Sequence, residues 1–365
     1  MIRVLVCEDS LPVSQLLKEV INQYPGLIVV GVAGNGREAV ELNRKLRPDI
    51  ITMDVRMPVL NGLEATQQIM SEQPAPIVMV SEIASTDVDL SMKALQAGAL
   101  MALRKPIGPG HPDYKVECEQ LCQALVNMAG VKLVRRWTQV SSERKKSPSG
   151  LTLSPTINKE PALRVKPRLV AIGSSTGGPS ALANLLSRLP ASFTLPVLIT
   201  QHIMPGFGSG MTRWLNDITG RRVVTAQDGM LVEPDSSITI IAPDDCHMTI
   251  TTSRHIRFDR RGPVNSLVPS VDVMFESVAG SVGAAAIGVI LTGMGRDGAQ
   301  GMLSMHKAGA YTIAQDETSS VVFGMPKEAI ALQAVDTVLP LDKIADQLVK
   351  VCGNQIPGQE SQLSC

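Results

Sequence analysis

Five residues in the first third of the chain stand just after short apolar runs: Glu8 and Asp9 after RVLVC, Asp54 after IITM, Ser81 after PIVMV and Lys105 after MALR. Three carboxylates brought together repel one another unless a divalent cation joins them, and hard oxygen donors of this kind suit Mg²⁺. A carboxylate beside such a cation and a lysine can accept a phosphoryl group, whose oxygens the lysine and a hydroxyl would then hold. A single acid at a strand end is uninformative, because surface acids are commonly solvated. Five chemically matched residues at equivalent positions point to a ligand site.

A second set follows apolar runs in the other half: Ser175 in GSSTGG after LVAI, His202 in QHIMPG after LPVLIT, and Asp297 in GMGRDG after AIGVILT. Serine, histidine and aspartate meeting at one edge is the constellation of acyl transfer, which is recognised by geometry and not by chain order. GSSTG also satisfies the G-x-S-x-G pattern in a strand-to-helix context. Taken alone this is weak, since a Gly/Ser-rich turn entering a helix is an equally good phosphate cradle. Ser174 and Thr176 are rival hydroxyls, and position does not choose among the three. LTGMGRDGAQGM matches the dinucleotide fingerprint G-x-G-x-x-G, with Asp316 or Glu317 near the expected acid. That motif normally opens its domain, however, and here it lies near the end. His247, with Asp244, Asp245 and Cys246 beside it, could be imagined as a metal site, but its spacing matches no ligand motif and Pro-Asp-Asp is common turn chemistry.

Each set needs elements to position it. Residues 1–106 alternate short apolar runs with amphipathic stretches, which predicts a five-stranded, doubly wound parallel sheet covered on both faces. DYKVECEQLCQALVNMAGVKLV reads as a closing helix. The polar, basic, proline-punctuated stretch after it reads as a linker. A second alternation begins at Arg168 and predicts a mostly parallel α/β domain, with SITIIAPDDCHMTITTSRHIRF as an antiparallel hairpin turning at PDD. The expected division is therefore a first domain at 1–125, helix end and linker at 126–166, a second domain at 167–355 and a tail at 356–365. In open parallel sheets ligands bind beyond the carboxyl ends of the strands, so each set should converge on one edge.

Lys plus Arg equals Asp plus Glu at 34 each, so electrostatics offer no footprint for nucleic acid or an anionic membrane. The six cysteines form no zinc-type C-x-x-C pair and read as reduced thiols. MIRVLVCEDS reaches acids too early for a signal peptide, and a cytoplasmic protein is expected. Ser277 to Gly295 carries no charge, but its Gly/Ala/Ser content reads as a helix end, a turn near Gly283 and a buried strand rather than a membrane span.

VLVCEDS, PDIITMDVRMPVLNGLEA, IVMVS and RKP resemble the receiver domain of bacterial response regulators. The resemblance implies that Asp54 is the phosphoacceptor, that Glu8, Asp9 and Asp54 hold Mg²⁺ with the carbonyl of Arg56, and that Ser81 and Lys105 sense the phosphoryl group. Ala102 departs from it, standing where receivers usually carry an aromatic switch residue. AIGSSTGGPSAL, ITQHIMPGF, IAPDDCHM, PSVDVMFESVA, VILTGMGRDGAQGM and QDETSSVVFGMPKEA are similar to the catalytic domain of the chemotaxis protein-glutamate methylesterases, the CheB family. That likeness implies Ser175 as nucleophile, His202 as base, Asp297 as orienting acid and the Met294 N–H in the oxyanion hole. It implies ester hydrolysis without a cofactor, and deamidation of receptor glutamines, on methyl-accepting chemotaxis receptors, with a chemotaxis histidine kinase as phosphodonor and no membrane insertion. The rival readings are a DNA-binding output, which would need a small basic helix-turn-helix, and a nucleotide-binding or purely receptor-binding output domain.

Overall fold

A computed structural model describes residues 1–82, 85–131 and 165–353. The expected linker at 126–166 lies for its larger part outside the described residues, as does the expected tail.

The first alternation forms one parallel sheet from β1 (Ile2–Cys7), β2 (Leu27–Ala33), β3 (Ile50–Met53), β4 (Ile77–Ser81) and β5 (Met101–Arg104), in the order β2-β1-β3-β4-β5. Strands β3 and β4 are buried along their whole length, as β-branched runs between two helix layers must be. The crossovers are α1 (Leu11–Gln23), α2 (Gly36–Leu46), α3 (Gly62–Glu72) and α4 (Ser85–Ala97), and α5 (Tyr114–Ala129) closes the unit. Helix starts are written locally. Asn61 and Glu64 form a reciprocal capping box on α3, and Asn35 accepts from the Glu38 N–H at 2.9 Å on α2.

The second unit holds a seven-stranded sheet ordered β14-β13-β12-β6-β7-β9-β8. Its strands are β6 (Leu169–Ser174), β7 (Val197–Gln201), β8 (Val223–Thr225), β9 (Thr239–Ile241), β12 (Ala286–Ile290), β13 (Tyr311–Gln315) and β14 (Thr337–Leu339), and every pairing is parallel. The flanking helices are α6 (Gly178–Arg188), α7 (Gly208–Thr219), α8 (Val271–Ser281), α9 (Ala299–Lys307), α10 (Met325–Ala331) and α11 (Leu341–Val351). The chain leaves β6 toward β7 on one side and later returns to β12 on the other, so β6 is the switch point of the sheet.

One expectation is corrected. SITII does not belong to the hairpin: it becomes β9, buried at all three positions and paired with β7. The hairpin is β10 (His247–Ile250) with β11 (Ile256–Asp259), and its turn lies at 251–255, where the Arg254 N–H donates to Thr251 O and Arg254 is left-handed. Alternation could not separate these strands because β9 is covered on both faces. The uncharged stretch from Ser277 resolves into the end of α8, a 3₁₀ turn at Gly283–Ala285 and β12; among the described residues no helix is long and apolar enough to cross a membrane.

The two units meet through α4. A Cβ at Gly210 on α7 would lie 2.2 Å from Val88 Cγ1, so that glycine lets α4 and α7 touch. Arg213 pairs with Asp89 at 3.3 Å, and Ser180 Oγ on α6 donates to Leu95 O at 2.7 Å. This docking brings the α4–β5 face of the first unit over the ends of β6 and β7.

Candidate active site

Backbone pairing continues past the strand ends and places the three functional loops. The Leu291 N–H donates to Gly173 O, the Ser175 N–H to Thr292 O and the His202 N–H to Ser174 O, at 2.9, 3.1 and 3.0 Å. Ser175 therefore lies between the loop after β12 and the loop after β7. A Cβ at Gly293 would stand 2.8 Å from Ser175 Cβ and 2.2 Å from Met325 Sδ, so only glycine lets that loop pass so close. Gly298 has φ of +91°, and a Cβ there would meet Val271 Cγ1 at 2.7 Å; the turn it permits points Asp297 inward. Gly293 and Gly298 of the dinucleotide fingerprint are thus packed against Ser175, Met325 and Val271, while Gly295, at φ of +85°, faces open space. Asp316 is occupied too, accepting from the Ser319 N–H and the hydroxyls of Thr318 and Ser319 within its own loop.

Asp297 is 1% exposed and sits at the N-terminus of α8. Its Oδ2 lies 2.7 Å from His202 Nε2 and accepts the Val271 N–H at 2.6 Å, while Oδ1 accepts Ser270 Oγ at 2.7 Å and the Asp272 N–H at 3.3 Å. Burial pushes the carboxyl up, but the hydrogen bonds and charge of His202, with the bonds from Ser270 and Val271, outweigh it and hold the pKa at about 2. The carboxylate is ionised at neutral pH, so the His202 nitrogen facing it carries a proton. Nδ1 is the nitrogen left for a hydroxyl.

Ser175 and His202 line a single cavity of about 210 Å³, together with Thr176 and Gln201. The Ser174 hydroxyl is instead fully buried, donates to Gln201 Oε1 at 2.6 Å and does not line this cavity. The same Gln201 amide donates through Nε2 to Ser175 O at 2.8 Å and to His202 O at 2.7 Å. One buried side chain thus clamps the serine loop to the histidine loop. Gly178 admits it: a Cβ there would lie 1.9 Å from Gln201 Oε1. Met294 is 39% exposed, and its N–H has no hydrogen-bond partner among the described residues, which leaves it free for an incoming oxygen.

His247 is fully buried and has another duty. Its Nδ1 accepts the Ser270 N–H at 3.0 Å and its Nε2 faces Gly262 O at 3.2 Å, so both nitrogens are used and the ring is the Nε2–H tautomer. Asp244 accepts the N–H groups of Gly206 and Gly208 and thereby shapes the loop after His202. Asp245 pairs with Arg260, and burial raises the Cys246 thiol to about 11. Among the described residues no metal donor set remains there. Gln201 and Ser270 support the site without having been singled out in the sequence, and His247, weighed there only as a metal ligand, serves instead as a buried hydrogen-bond acceptor for Ser270. The available signal was an amide at the end of an otherwise apolar strand, which burial obliges to find partners.

In the first unit, ligand oxygens of Glu8, Asp9 and Asp54 lie within 4.8 Å of one another. Lys105 Nζ stands 2.9 Å from Asp54 Oδ2 and 2.9 Å from Glu8 Oε2, yet off the hydrogen-bonding direction to Glu8 Oε2, so that buried oxygen receives no hydrogen bond among the described residues. Burial raises both the Glu8 and Asp54 pKa values against the pull of Lys105, the second acid adding to the rise at Glu8. Two buried carboxylates and an exposed one, with oxygens converging within 4.8 Å, form a donor set that fits a hard divalent cation. Arg56 lies two residues beyond Asp54, with its side chain 3.9 Å from Glu82. Ser81 Oγ donates to Glu82 O at 3.1 Å and lies 3.4 Å from Ser91 Oγ on α4.

Asp272 yields a stability test. Burial, then the nearby Asp297 and Glu276 charges, raise its carboxyl to about 6, against the Gly301 N–H that it accepts at 2.7 Å. A carboxyl whose pKa is raised on folding costs stability once the pH exceeds its unfolded value of about 4. Asp272→Asn keeps an acceptor for Gly301 and is expected to raise the thermal midpoint at pH 8, the gain shrinking toward pH 4. Calorimetry across that range checks it, and a lower midpoint at pH 8 contradicts it.

With this geometry in hand, comparison with known proteins is specific. The CheB methylesterase family matches residues 170–348, and the response regulator receiver domain matches residues 4–113. A protein-glutamate methylesterase/protein-glutamine glutaminase of Myxococcus xanthus is 44% identical over 95% of this chain and 96% of its own. One from Syntrophus aciditrophicus is 42% identical over 98% of this chain and 100% of its own. The crystal structure of the Thermotoga maritima CheB methylesterase catalytic domain is 36% identical, covering 51% of this chain and all of that one, with a TM-score of 0.49. Identity at this level over nearly the full length of both chains means that this protein belongs to the protein-glutamate methylesterase/protein-glutamine glutaminase family, with a receiver domain followed by a CheB methylesterase domain.

Proposed function

We propose that this chain is a phosphorylation-controlled serine esterase that hydrolyses glutamate γ-methyl esters on methyl-accepting chemotaxis receptors and deamidates receptor glutamines by the same route. The observation that carries the reading is the 2.7 Å bond between His202 Nε2 and Asp297 Oδ2, at the edge of a cavity that His202 shares with Ser175.

Ser175 Oγ attacks the γ-carbonyl and gives its proton to His202 Nδ1, the nitrogen that Asp297 does not hold. Asp297 fixes the ring and stabilises the imidazolium. The Met294 N–H donates to the oxyanion, and one such donor is typically worth about 10²–10³ in rate. His202 returns the proton to the leaving methoxide, and methanol departs. Water then attacks the acyl-enzyme with His202 again as base. An amide follows the same path with ammonia as leaving group.

In the receiver, Glu8, Asp9 and Asp54, with the Arg56 carbonyl, are the residues that would hold Mg²⁺. When bound, the ion neutralises the acid cluster and the oxygens of the incoming phosphoryl group. Asp54 takes that group from a chemotaxis histidine kinase, and Lys105 and Ser81 hold its oxygens. The site of action is the cytoplasm. Support for control by the receiver comes from the docking of α4: Met92, Leu95, Met101 and Ala102 wall the cavity that contains Ser175. Phosphorylation favours the undocked arrangement to the extent that the phosphoryl group interacts differently with the two states.

Three outcomes are expected from methanol release by methylated receptor membranes. Ser175→Ala folds and loses at least about 10⁴ in rate, whereas Ser174→Ala retains measurable turnover; a dead Ser174→Ala enzyme would reassign the nucleophile. Gln201→Leu lowers kcat by about 10²-fold with little change in KM, because misplacing the reacting groups by about 1 Å costs that much; an unchanged kcat removes the clamp from the account. Gly210→Val, which drives a side chain into Val88, activates the enzyme without phosphodonor, and does so equally in an Asp54→Asn background that phosphodonor no longer stimulates. A Gly210→Val enzyme that still requires phosphodonor contradicts control by docking.

A further inference from the structure

The docked receiver does not fill the space in front of Ser175. About 210 Å³ remains, walled by Met92, Leu95, Met101 and Ala102 on the receiver side and by Ser175 and His202 opposite. An apolar cavity of about 150 Å³ already accepts benzene, whereas a receptor helix is about 10 Å across and needs the receiver removed. None of the residues lining the cavity is Asp, Glu, Lys or Arg. The lining therefore offers no ion-pair partner for the charges of a zwitterionic amino-acid ester, whereas an uncharged aliphatic ester needs none.

We infer that the docked, unphosphorylated enzyme hydrolyses small uncharged carboxylic esters, of about the size of methyl butyrate, inside this cavity. The inference rests on the proposed roles of Ser175, His202 and Asp297 and adds a substrate class that escapes the receiver's control. The chemistry balances with water as the only co-reactant. A bond forms between Ser175 Oγ and the acyl carbon as the acyl–alkoxide bond breaks, and the serine proton passes through His202 to the departing alcohol. Water then splits the acyl-serine to the carboxylic acid and restores the hydroxyl. Ala102 sets the room available. An aromatic side chain at this position would place a benzene-sized ring in the volume where the ester must lie. Here the small side chain leaves that volume open.

The test uses the full-length protein and methyl butyrate, with methanol release as readout, in the absence and presence of acetyl phosphate and Mg²⁺. Without phosphodonor, the wild-type rate is expected to lie within about tenfold of the rate with it, while release from receptor membranes rises far more steeply. Ala102→Phe is expected to lower the rate without phosphodonor at least tenfold and to recover when phosphodonor is added. Ala102→Leu, a smaller intrusion, falls between, and circular dichroism confirms that both variants fold. Ser175→Ala abolishes hydrolysis in every condition. The inference is overturned if methyl butyrate turns over only with phosphodonor, if Ala102→Phe has no effect, or if Ser175→Ala leaves the rate intact. Receptor demethylation in the same wild-type sample separates the failures: if it persists while methyl butyrate is refused, only this inference falls, and if both are absent, the reading of the catalytic site falls with it.

Discussion

The buried carboxylate of Asp297, held against the first turn of α8, is the interaction on which the catalytic unit depends. An ionised carboxylate at 1% exposure is costly by itself, and it survives because four donors converge on it. Two of these are backbone N–H groups that α8 leaves without partners in its own first turn, and the helix dipole adds a favourable field. A third is the hydroxyl of Ser270, whose own N–H is held by the fully buried His247. The fourth is His202. A line of hydrogen bonds thus runs from the hairpin strand β10, through the start of α8, to the His202 ring. Each member leaves the next only one way to point.

The same sheet rule builds both chemistries of the chain. In the receiver, the order β2-β1-β3-β4-β5 switches direction between β1 and β3, and there Glu8, Asp9 and Asp54 gather with Lys105. In the second unit the switch is at β6, and the loops after β7, β6 and β12 supply His202, Ser175 and Asp297. Parallel strands end in register, so residues just past their ends become neighbours without any contribution from sequence proximity. What differs is the loop chemistry: acids converging beside a lysine in one unit, and in the other a carboxylate held by helix, hydroxyl and imidazole. Docking through α4 then sets the first site's output face over the second site.

The apolar runs made the two sheets legible, because a buried parallel strand must be almost wholly apolar, and the polar residue after each run named both sites. Other features had no such signal. SITII was misplaced in the hairpin because a strand covered on both faces loses the alternation that would reveal its partner. Strands β8 and β14 are three residues long, too short for any period to register. Gln201, Ser270 and His247 act through buried hydrogen bonds whose partners lie up to 27 residues away, and no spacing rule reports those. The glycines of GMGRDG were visible but ambiguous, since close backbone approach is required equally by a dinucleotide and by Ser175. Only the contacts of Gly293 and Gly298 separate the two.

The central claim is that Asp297 holds His202 through Nε2 and leaves Nδ1 as the base. Long-range ¹⁵N–¹H correlation spectra of the histidine-labelled protein at pH above the ring's titration, with His202→Gln to assign the signal among the five histidines, test it directly. The account predicts a His202 proton on Nε2, shifted downfield by its bond to Asp297, and an unprotonated Nδ1. A neutral His202 with its proton on Nδ1 would contradict it.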